Sequence, residues 1–342
     1  AGRSSILYFL SGKSMPFWLL GVSMVATTFS TDTPNLVTDI VRTKGVAGNW
    51  MWWAFLLTGM LTTFIFARLW RRSNVTTDIE FYELRYSGRL ATFLRGFRAI
   101  YLGVFFNVVI IATVSLAAIK IGGVMVDAKP EHTLLVCGGI TALYAMMGGL
   151  TSVIITDLIQ FCMAMFGAIM AAVYALNRPE VGGISNLVNH PELSGKLSIL
   201  PDFNNMELAT AVFIIPLAVQ WWSSWYPGAE PGGGGYVAQR MLAAKNEKHS
   251  QGATLLFNVL HYGVRPWPWI IVALCSLLVY PNLDSLREAF PNISEQYLKD
   301  DIAYSAMLVF LPPVLIGIVV SSLAAAYMST ISTHLNWGSS YV

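Results

Sequence analysis

Eight long apolar segments constrain the fold of this chain more than any other feature of its sequence. Each has about 20 residues or more, which is enough to cross a bilayer as an α-helix. Only 12% of the 342 residues are charged, whereas soluble domains carry about 25%. The sequence therefore predicts an all-α polytopic membrane protein with spans at 15–38, 49–69, 98–124, 132–149, 151–176, 207–226, 252–280 and 312–338.

Basic residues are divided unequally between the two sides that these spans create. Because cytoplasmic loops are enriched in Lys and Arg, the side with the denser basic cluster is predicted to be cytoplasmic. The loops 177–205 and 281–300 then lie outside, and Arg42 is predicted to lie in an outer loop. The residues predicted on the cytoplasmic side are Arg3, Lys13, Arg68, Arg71, Arg72, Arg85, Arg89, Arg95, Arg98, Arg240, Lys245 and Lys248.

The last predicted span contains a cluster of hydroxyl groups on a face of small residues. Ala326, Ser329, Thr330 and Thr333 follow one another at spacings of three and four, so they share one side of the helix. Hydroxyl and carbonyl oxygens are hard ligands that suit an alkali cation. A close contact between two helices, joined through Ser and Thr, explains the same pattern.

Asp157 is an ionisable residue inside the fifth predicted span, which makes it a functional candidate. At 1.5 Å per residue it lies roughly 10 Å from the cytoplasmic end of its span. Ser329 and Thr330 lie roughly 25 Å from the outer end of theirs, at a similar depth. The two sets together predict a cation site, and an aspartate paired to a neighbouring helix for structure alone is the alternative.

Asp32 belongs to a polar run, Thr27-Thr28-Phe29-Ser30-Thr31-Asp32-Thr33-Pro34, near the middle of the first predicted span. A helix broken at this point frees backbone carbonyls, which a membrane tolerates only where they line a cavity or bind a ligand. Discontinuous helices at the midplane are typical of transporter binding sites. Alternatively, the helix ends at Ser30 and Asp32 lies in an outer loop.

Two further polar groups fall inside predicted spans. Arg265 is expected to receive a solute carboxylate or to pair with Asp32 or Asp157. It is otherwise expected to reach the interface or to sit at a broken-helix corner made by Pro266 and Pro268. Gln220 and Trp222, at the end of the sixth span, suit stacking and hydrogen bonding to a solute. An interfacial aromatic belt is the other interpretation of that sequence.

Several motifs along the chain are similar to those of the sodium:solute symporters, the family of the sodium–glucose, sodium–proline and sodium–sialic acid transporters. The resemblance covers nearly all of the chain, in order. It is carried by Tyr8-Phe9-Leu10-Ser11-Gly12-Lys13-Ser14, Gly148-Gly149-Leu150-Thr151, Thr156-Asp157-Leu158-Ile159-Gln160, Gln239-Arg240-Met241-Leu242-Ala243-Ala244-Lys245 and the segment 321–333.

The resemblance implies the fold of the leucine transporter, which consists of two inverted five-helix repeats. Residues 1–342 then form a single transmembrane domain that holds core helices one to eight. The first repeat is expected at 15–176 and a partial second repeat at 207–342. Because core helices nine and ten are not among the predicted spans, we expect the chain to be a fragment of a longer protein, inactive by itself.

The resemblance also implies a set of site residues. A sodium ion is expected between the broken first helix and the eighth, held by carbonyls of Ala26, Phe29 and Ala326 and by hydroxyls of Ser329 and Thr330. Asp157 is expected in or beside a second sodium site. Thr33 and Tyr262 stand where a sugar-carrying relative has glutamine and lysine, so the sugar-ligand pattern is not kept.

Together these features predict a secondary active transporter that couples inward sodium movement to uptake of a small polar solute, by alternating access. A transporter-like solute sensor and a proton-coupled symporter are the alternatives. No activated nucleophile or metal cluster indicates an enzyme, and no organic cofactor or nucleic-acid partner is expected. The predicted location is the plasma or inner membrane. The predicted solute site consists of Asp32, Thr33, Gln220, Trp222, Tyr262 and Arg265.

Overall fold

The computed structural model describes residues 5–28, 30, 32–126, 128–223 and 235–341. Within these ranges the regular structure is helical, apart from an isolated bridge between Met15 and Ala244. The main helices are α1 (Ser5–Leu10), α2 (Phe17–Thr27), α3 (Asp32–Lys44), α4 (Val46–Ser73), α5 (Glu80–Arg85), α6 (Arg89–Gly123), α7 (Gly139–Leu176), α8 (Met206–Ala218), α9 (Gly235–Ala243), α10 (Glu247–Val279) and α11 (Pro313–Ser339).

Five helical segments in the described part of the chain are long and apolar enough to cross a membrane. They are α4, α6, α10, α11 and the Gly149–Leu176 part of α7, and they correspond to five of the eight predicted spans. The other three predicted spans take different forms. The first is broken, 132–149 runs into α7, and 207–226 contains the shorter helix α8.

The first predicted span is interrupted, as its polar run indicates. α2 ends at Thr27 and the chain becomes helical again at Asp32, so Asp32 begins α3 instead of lying in an outer loop. Pro34 lies in the first turn of α3, where a missing N–H costs no helical hydrogen bond. Asp32 is also in this turn, where its negative charge suits the positive end of the helix dipole.

α7 bends at Gly149, which has a φ of +58° that favours glycine. A Cβ at this position would lie 2.7 Å from the backbone oxygen of Tyr8. The Tyr8 hydroxyl in turn donates to the carbonyls of Ala145 and Met146, at 3.3 and 3.2 Å. The bend therefore lets α1 pack against α7 just before the part that carries Asp157.

α7 and α11 pack along each other and bring two polar helix faces together. Gly167 of α7 permits this approach, because a Cβ there would lie 3.0 Å from the Ser322 hydroxyl of α11. Ala164, Ala168 and Ala326 belong to the same apolar core. The small residues therefore place Asp157 and the hydroxyl face of α11 at one interface.

Arg42 was predicted in a loop on the outer side, whereas the structure places it inside a helix. The residue lies in α3 and is 4% exposed. Its Nε donates to Asp300 Oδ1 at 2.7 Å, and its Nη1 donates to the carbonyls of Ser276 and Tyr280 at 3.1 and 2.9 Å. Because every one of these partners is distant in sequence, local composition could not show that Arg42 fastens α3 to α10.

Candidate functional site

The centre of the candidate site is the carboxylate of Asp157 on α7, which is fully buried. Ser23 of α2 donates its hydroxyl to Asp157 Oδ2 at 2.5 Å. Ser329 of α11 donates its hydroxyl to Asp157 Oδ1. The structure therefore brings Asp157 and the hydroxyl cluster together, as the depth of each residue in its span predicts.

Arg240 of α9 provides the positive charge beside this carboxylate. Its Nη2 lies 3.6 Å from Asp157 Oδ2, and both side chains are 0% exposed. The guanidinium also donates to the hydroxyls of Ser23, Thr27 and Thr333, at 3.2, 3.1 and 2.8 Å. A buried charge is stable only when it is paired and hydrogen-bonded, and Arg240 meets both conditions. Four helices, α2, α7, α9 and α11, thus meet at one polar centre.

The position of Arg240 corrects two predictions. Arg240 was predicted in a loop on the cytoplasmic side, whereas it lies in α9 and is 0% exposed. Asp157 was considered as a partner of Arg265, whereas its cationic partner is Arg240. This contact agrees with the alternative of an aspartate paired to a neighbouring helix. The positive-inside pattern counts basic residues without regard to packing, and only the Gln239-Arg240 motif marked this arginine as unusual.

The predicted sodium ligands converge beside the same centre. Ala26, Ala326, Ser329 and Thr330 are all buried. The Thr330 hydroxyl donates to the carbonyl of Ala326 at 3.2 Å and to that of Thr27 at 3.3 Å. The end of α2 and one face of α11 therefore present hydroxyl and carbonyl oxygens to each other. Phe29, also a predicted ligand, lies outside the described residues.

This arrangement suits a small hard cation. Carbonyl, hydroxyl and carboxylate oxygens are the donors that alkali and alkaline-earth ions prefer. Rotation of the Ser329 or Thr330 hydroxyl would turn an oxygen lone pair toward an ion without moving the backbone. The chemistry of these residues therefore fits sodium, and the assignment of each as a ligand stays a prediction.

Arg265 and Asp32 lie on either side of the break between α2 and α3. Arg265, on α10, is 1% exposed and donates to the Val25 carbonyl and the Thr28 hydroxyl, at 3.3 and 3.2 Å. Asp32 and Arg265 interact electrostatically. Arg265 therefore holds the end of α2 and faces the first turn of α3.

The other predicted solute residues occupy separate places. Thr33 is half-buried in the first turn of α3, beside Asp32. Tyr262 stacks on Trp52 with ring centroids 5.8 Å apart. Gln220 donates to the Met51 carbonyl at 3.2 Å, and Trp222 is 53% exposed. Gln220 thus contacts α4, and the exposure of Trp222 agrees with the interfacial belt considered for this sequence.

Comparisons with known proteins agree with this geometry. A model described as the sodium:solute symporter family matches residues 8–342. The chain is 25% identical to a sodium/glucose cotransporter of Vibrio parahaemolyticus, over 98% of the chain and 61% of the relative. It is 26% identical to a sodium/myo-inositol cotransporter of Mus musculus, over 98% of the chain and 49% of the relative.

A solved structure shares the fold. It is described as the substrate-bound outward-open state of a Na+-coupled sialic acid symporter, and it superposes with a TM-score of 0.78 at 19% identity. The match covers 99% of this chain and 67% of that one. The chain therefore has the leucine-transporter-like fold of inverted repeats. It spans about half to three-fifths of the length of the curated relatives it matches.

Proposed function

Because this chain belongs to the sodium:solute symporter family, we propose that it serves secondary active transport in a multi-pass membrane protein. Sodium moving inward drives the uptake of a small polar solute. The members named above are cotransporters and not enzymes. The proposed location is the plasma or inner membrane.

One observation carries this proposal: the interrupted first span meets the hydroxyl face of α11 at a buried carboxylate. The oxygens of Ala26, Ala326, Ser329 and Thr330 would hold the ion there. Asp157 lies within hydrogen-bonding distance of Ser329 and is proposed in or beside a second sodium site. Without a ligand, a helix break inside a membrane protein leaves backbone groups that are costly to bury.

Sodium binding is coupled to a conformational change because these oxygens lie on two separate helices, α2 and α11. Sodium bound between α2 and α11 stabilises the arrangement in which the two helices touch. The ion favours one global state only by the difference in its affinity for the two states, typically 1–3 kcal/mol. The membrane potential adds about 2.3 kcal/mol per charge per 100 mV.

The solute site is proposed at the α2–α3 break. The electrostatic interaction of Asp32 with Arg265 supports this location, and Thr33 lies beside it. Tyr262, which also interacts electrostatically with Arg265, belongs to the proposed set. Gln220 and Trp222, predicted with them, lie against α4 and at the surface and are left out of it. Residues 15–176 and 207–342 are the proposed first repeat and partial second repeat, which rock against each other around this site.

Uptake into proteoliposomes, measured on a protein of the relatives' full length that contains this chain, tests the function. We expect an inward sodium gradient to drive uptake of at least one of glucose, myo-inositol, sialic acid or proline. Thr330→Val removes one ligand hydroxyl and should abolish the sodium dependence. Ser322→Ala is the matched control, since Ser322 is also buried on α11 but bonds only its own helix, at the Val319 carbonyl.

Two results would contradict the proposal. Uptake that persists without sodium and follows an acid-outside gradient would show proton coupling. Solute binding without any uptake, in protein that melts normally, would favour the sensor alternative.

A further inference from the structure

An apolar slot lies between α6, α11 and the helical segment 130–138, which precedes α7. Its volume is about 230 Å³. The residues that carry the argument are Ala118 and Gly122 of α6, Val136 and Cys137 of the segment 130–138, and Leu323 and Ala324 of α11.

Small residues leave this slot open and keep its lining apolar. Gly122 lets the segment 130–138 approach α6, because a Cβ there would lie 3.0 Å from the Thr133 hydroxyl. The Tyr327 hydroxyl, at the α11 wall, is bonded to the Ser115 hydroxyl at 3.1 Å. Packed proteins leave few voids larger than a water molecule, and a water needs polar partners. The slot therefore suits an apolar occupant.

The slot lies at the depth of the outer lipid leaflet. α11 begins at Pro313 on the predicted outer side. Its slot residues Val320 and Tyr327 lie roughly 10 and 20 Å further in, within a hydrocarbon core of about 30 Å. Val136, which lines the slot, is 57% exposed, and its neighbour Leu135 is 74% exposed. The slot therefore opens on an apolar surface that faces acyl chains.

A polar pocket of about 290 Å³ adjoins the outer end of this slot, and Ala128 lines both cavities. The donors at the pocket include Lys129, Ser294 and Tyr297. Lys129 is exposed and has no ion pair among the described residues, whereas Lys120 of the same pocket binds Asp301 at 2.6 Å. Ammonium and hydroxyl groups donate to phosphate oxygens, and the charged donor forms the stronger bond.

We propose that the slot and the polar pocket together bind one phospholipid of the outer leaflet. One acyl chain enters the slot, and the phosphate lies at Lys129 with the hydroxyls of Ser294 and Tyr297. Free phosphate would leave the slot empty, and a neutral diacylglycerol would leave Lys129 without a partner. Only a molecule with both an acyl chain and a phosphate matches the two adjoining cavities.

Lipid retention by purified protein of the relatives' full length, containing this chain, tests the site. The protein is delipidated in detergent without sodium, so the result does not depend on the proposed coupling. Native mass spectrometry then counts bound molecules across a concentration series of dioleoylphosphatidylglycerol or dioleoylglycerol, which have the same acyl chains. We expect one phospholipid to bind about tenfold or more tightly than dioleoylglycerol, because the latter lacks the charge-assisted hydrogen bond.

Two variants separate the headgroup from the acyl chain. Lys129→Gln should remove most of the preference for the phospholipid. Ala324→Phe places a ring in the slot and should remove the bound lipid. Lys248→Gln is the control, because it removes an exposed ammonium group on the predicted cytoplasmic side. It should leave the preference unchanged.

Cys137 reports whether the acyl chain occupies the slot of the unaltered protein. It lines the slot, whereas Cys162 is exposed on α7. We expect an equimolar amount of dioleoylphosphatidylglycerol to slow the labelling of Cys137 by N-ethylmaleimide and to leave that of Cys162 unchanged. Mass spectrometry of the labelled peptides distinguishes the two thiols.

Three results would overturn the proposal. The first is equal affinity for the two lipids. The second is a preference that survives Lys129→Gln in normally melting protein. The third is labelling of Cys137 that does not respond to the phospholipid, which would show that the acyl chain does not enter the slot.

Discussion

Asp157→Asn removes a negative charge from the four-helix polar centre and leaves the Arg240 guanidinium in place. Both side chains are 0% exposed, and their closest atoms are 3.6 Å apart. Removing one partner of such a pair costs about 3–5 kcal/mol, because the remaining charge is buried without compensation. Arg240 keeps its bonds to the hydroxyls of Ser23, Thr27 and Thr333, so we expect the lower value, about 3 kcal/mol.

Thermal unfolding in detergent measures this loss. At about 2 °C per kcal/mol, the low value for large domains, Asp157→Asn should lower the Tm by roughly 6 °C. Arg240→Gln should cost a similar amount, because it leaves Asp157 buried and unpaired. The double variant Asp157→Asn/Arg240→Gln has no buried charge at this centre, so it should be more stable than the sum of the single effects by about 1–3 kcal/mol.

The double-mutant cycle contains its own test. Single effects that simply add would show that the two groups do not interact in the folded protein. Single variants that melt like the wild type would show that the centre is not buried as described. Asp202→Asn, in the exposed loop before α8, is the control for loss of a carboxylate and should leave the Tm unchanged.

Three further expectations follow from contacts elsewhere in the fold. Arg42→Met should cost about 2–3 kcal/mol in a melting assay, less than a fully buried pair, because its partner Asp300 is 26% exposed; an unchanged Tm would refute the link between α3 and α10. Gly149→Ala should cost about 1–3 kcal/mol from the strained φ alone, and a neutral result would contradict the bend in α7. The hydrogen bond from Arg95 holds the pKa of Glu83 below its ordinary value. The Tm difference between the wild type and Glu83→Gln should therefore be fully present above about pH 4.3 and vanish as the pH falls through the lowered pKa. A Tm difference that grows on acidification would contradict this expectation.

The broken first span and its partner helix could be predicted because their signals are local. A polar run that ends in Pro34, inside an apolar segment, has few structural solutions in a membrane. Likewise, Asp157 and Ser329 lie at similar depths in their spans, and helical rise converts sequence position directly into depth. Once both segments are taken as spans, their sequence positions place Asp157 and Ser329 at the same depth in the membrane, where they can meet.

Arg240 could not be placed in the same way. The position of a basic residue near a span end depends on whether its helix packs inward, and that depends on partners distant in sequence. Its contacts with Thr27 and Thr333 join residues 213 and 93 positions away. The contact between α6 and the segment before α11 was missed for the same reason, since the Lys120–Asp301 pair joins residues 181 positions apart.

Sodium-dependent thermal stabilisation tests the central claim most directly. If sodium binds between α2 and α11, it should raise the stability of the purified protein, by about 2.7 kcal/mol at a concentration 100 times the Kd. Potassium should have no effect, Thr330→Val should lose the stabilisation, and Ser322→Ala should keep it. A well-folded wild type whose melting does not respond to sodium, or a Thr330→Val variant that responds fully, would contradict the account.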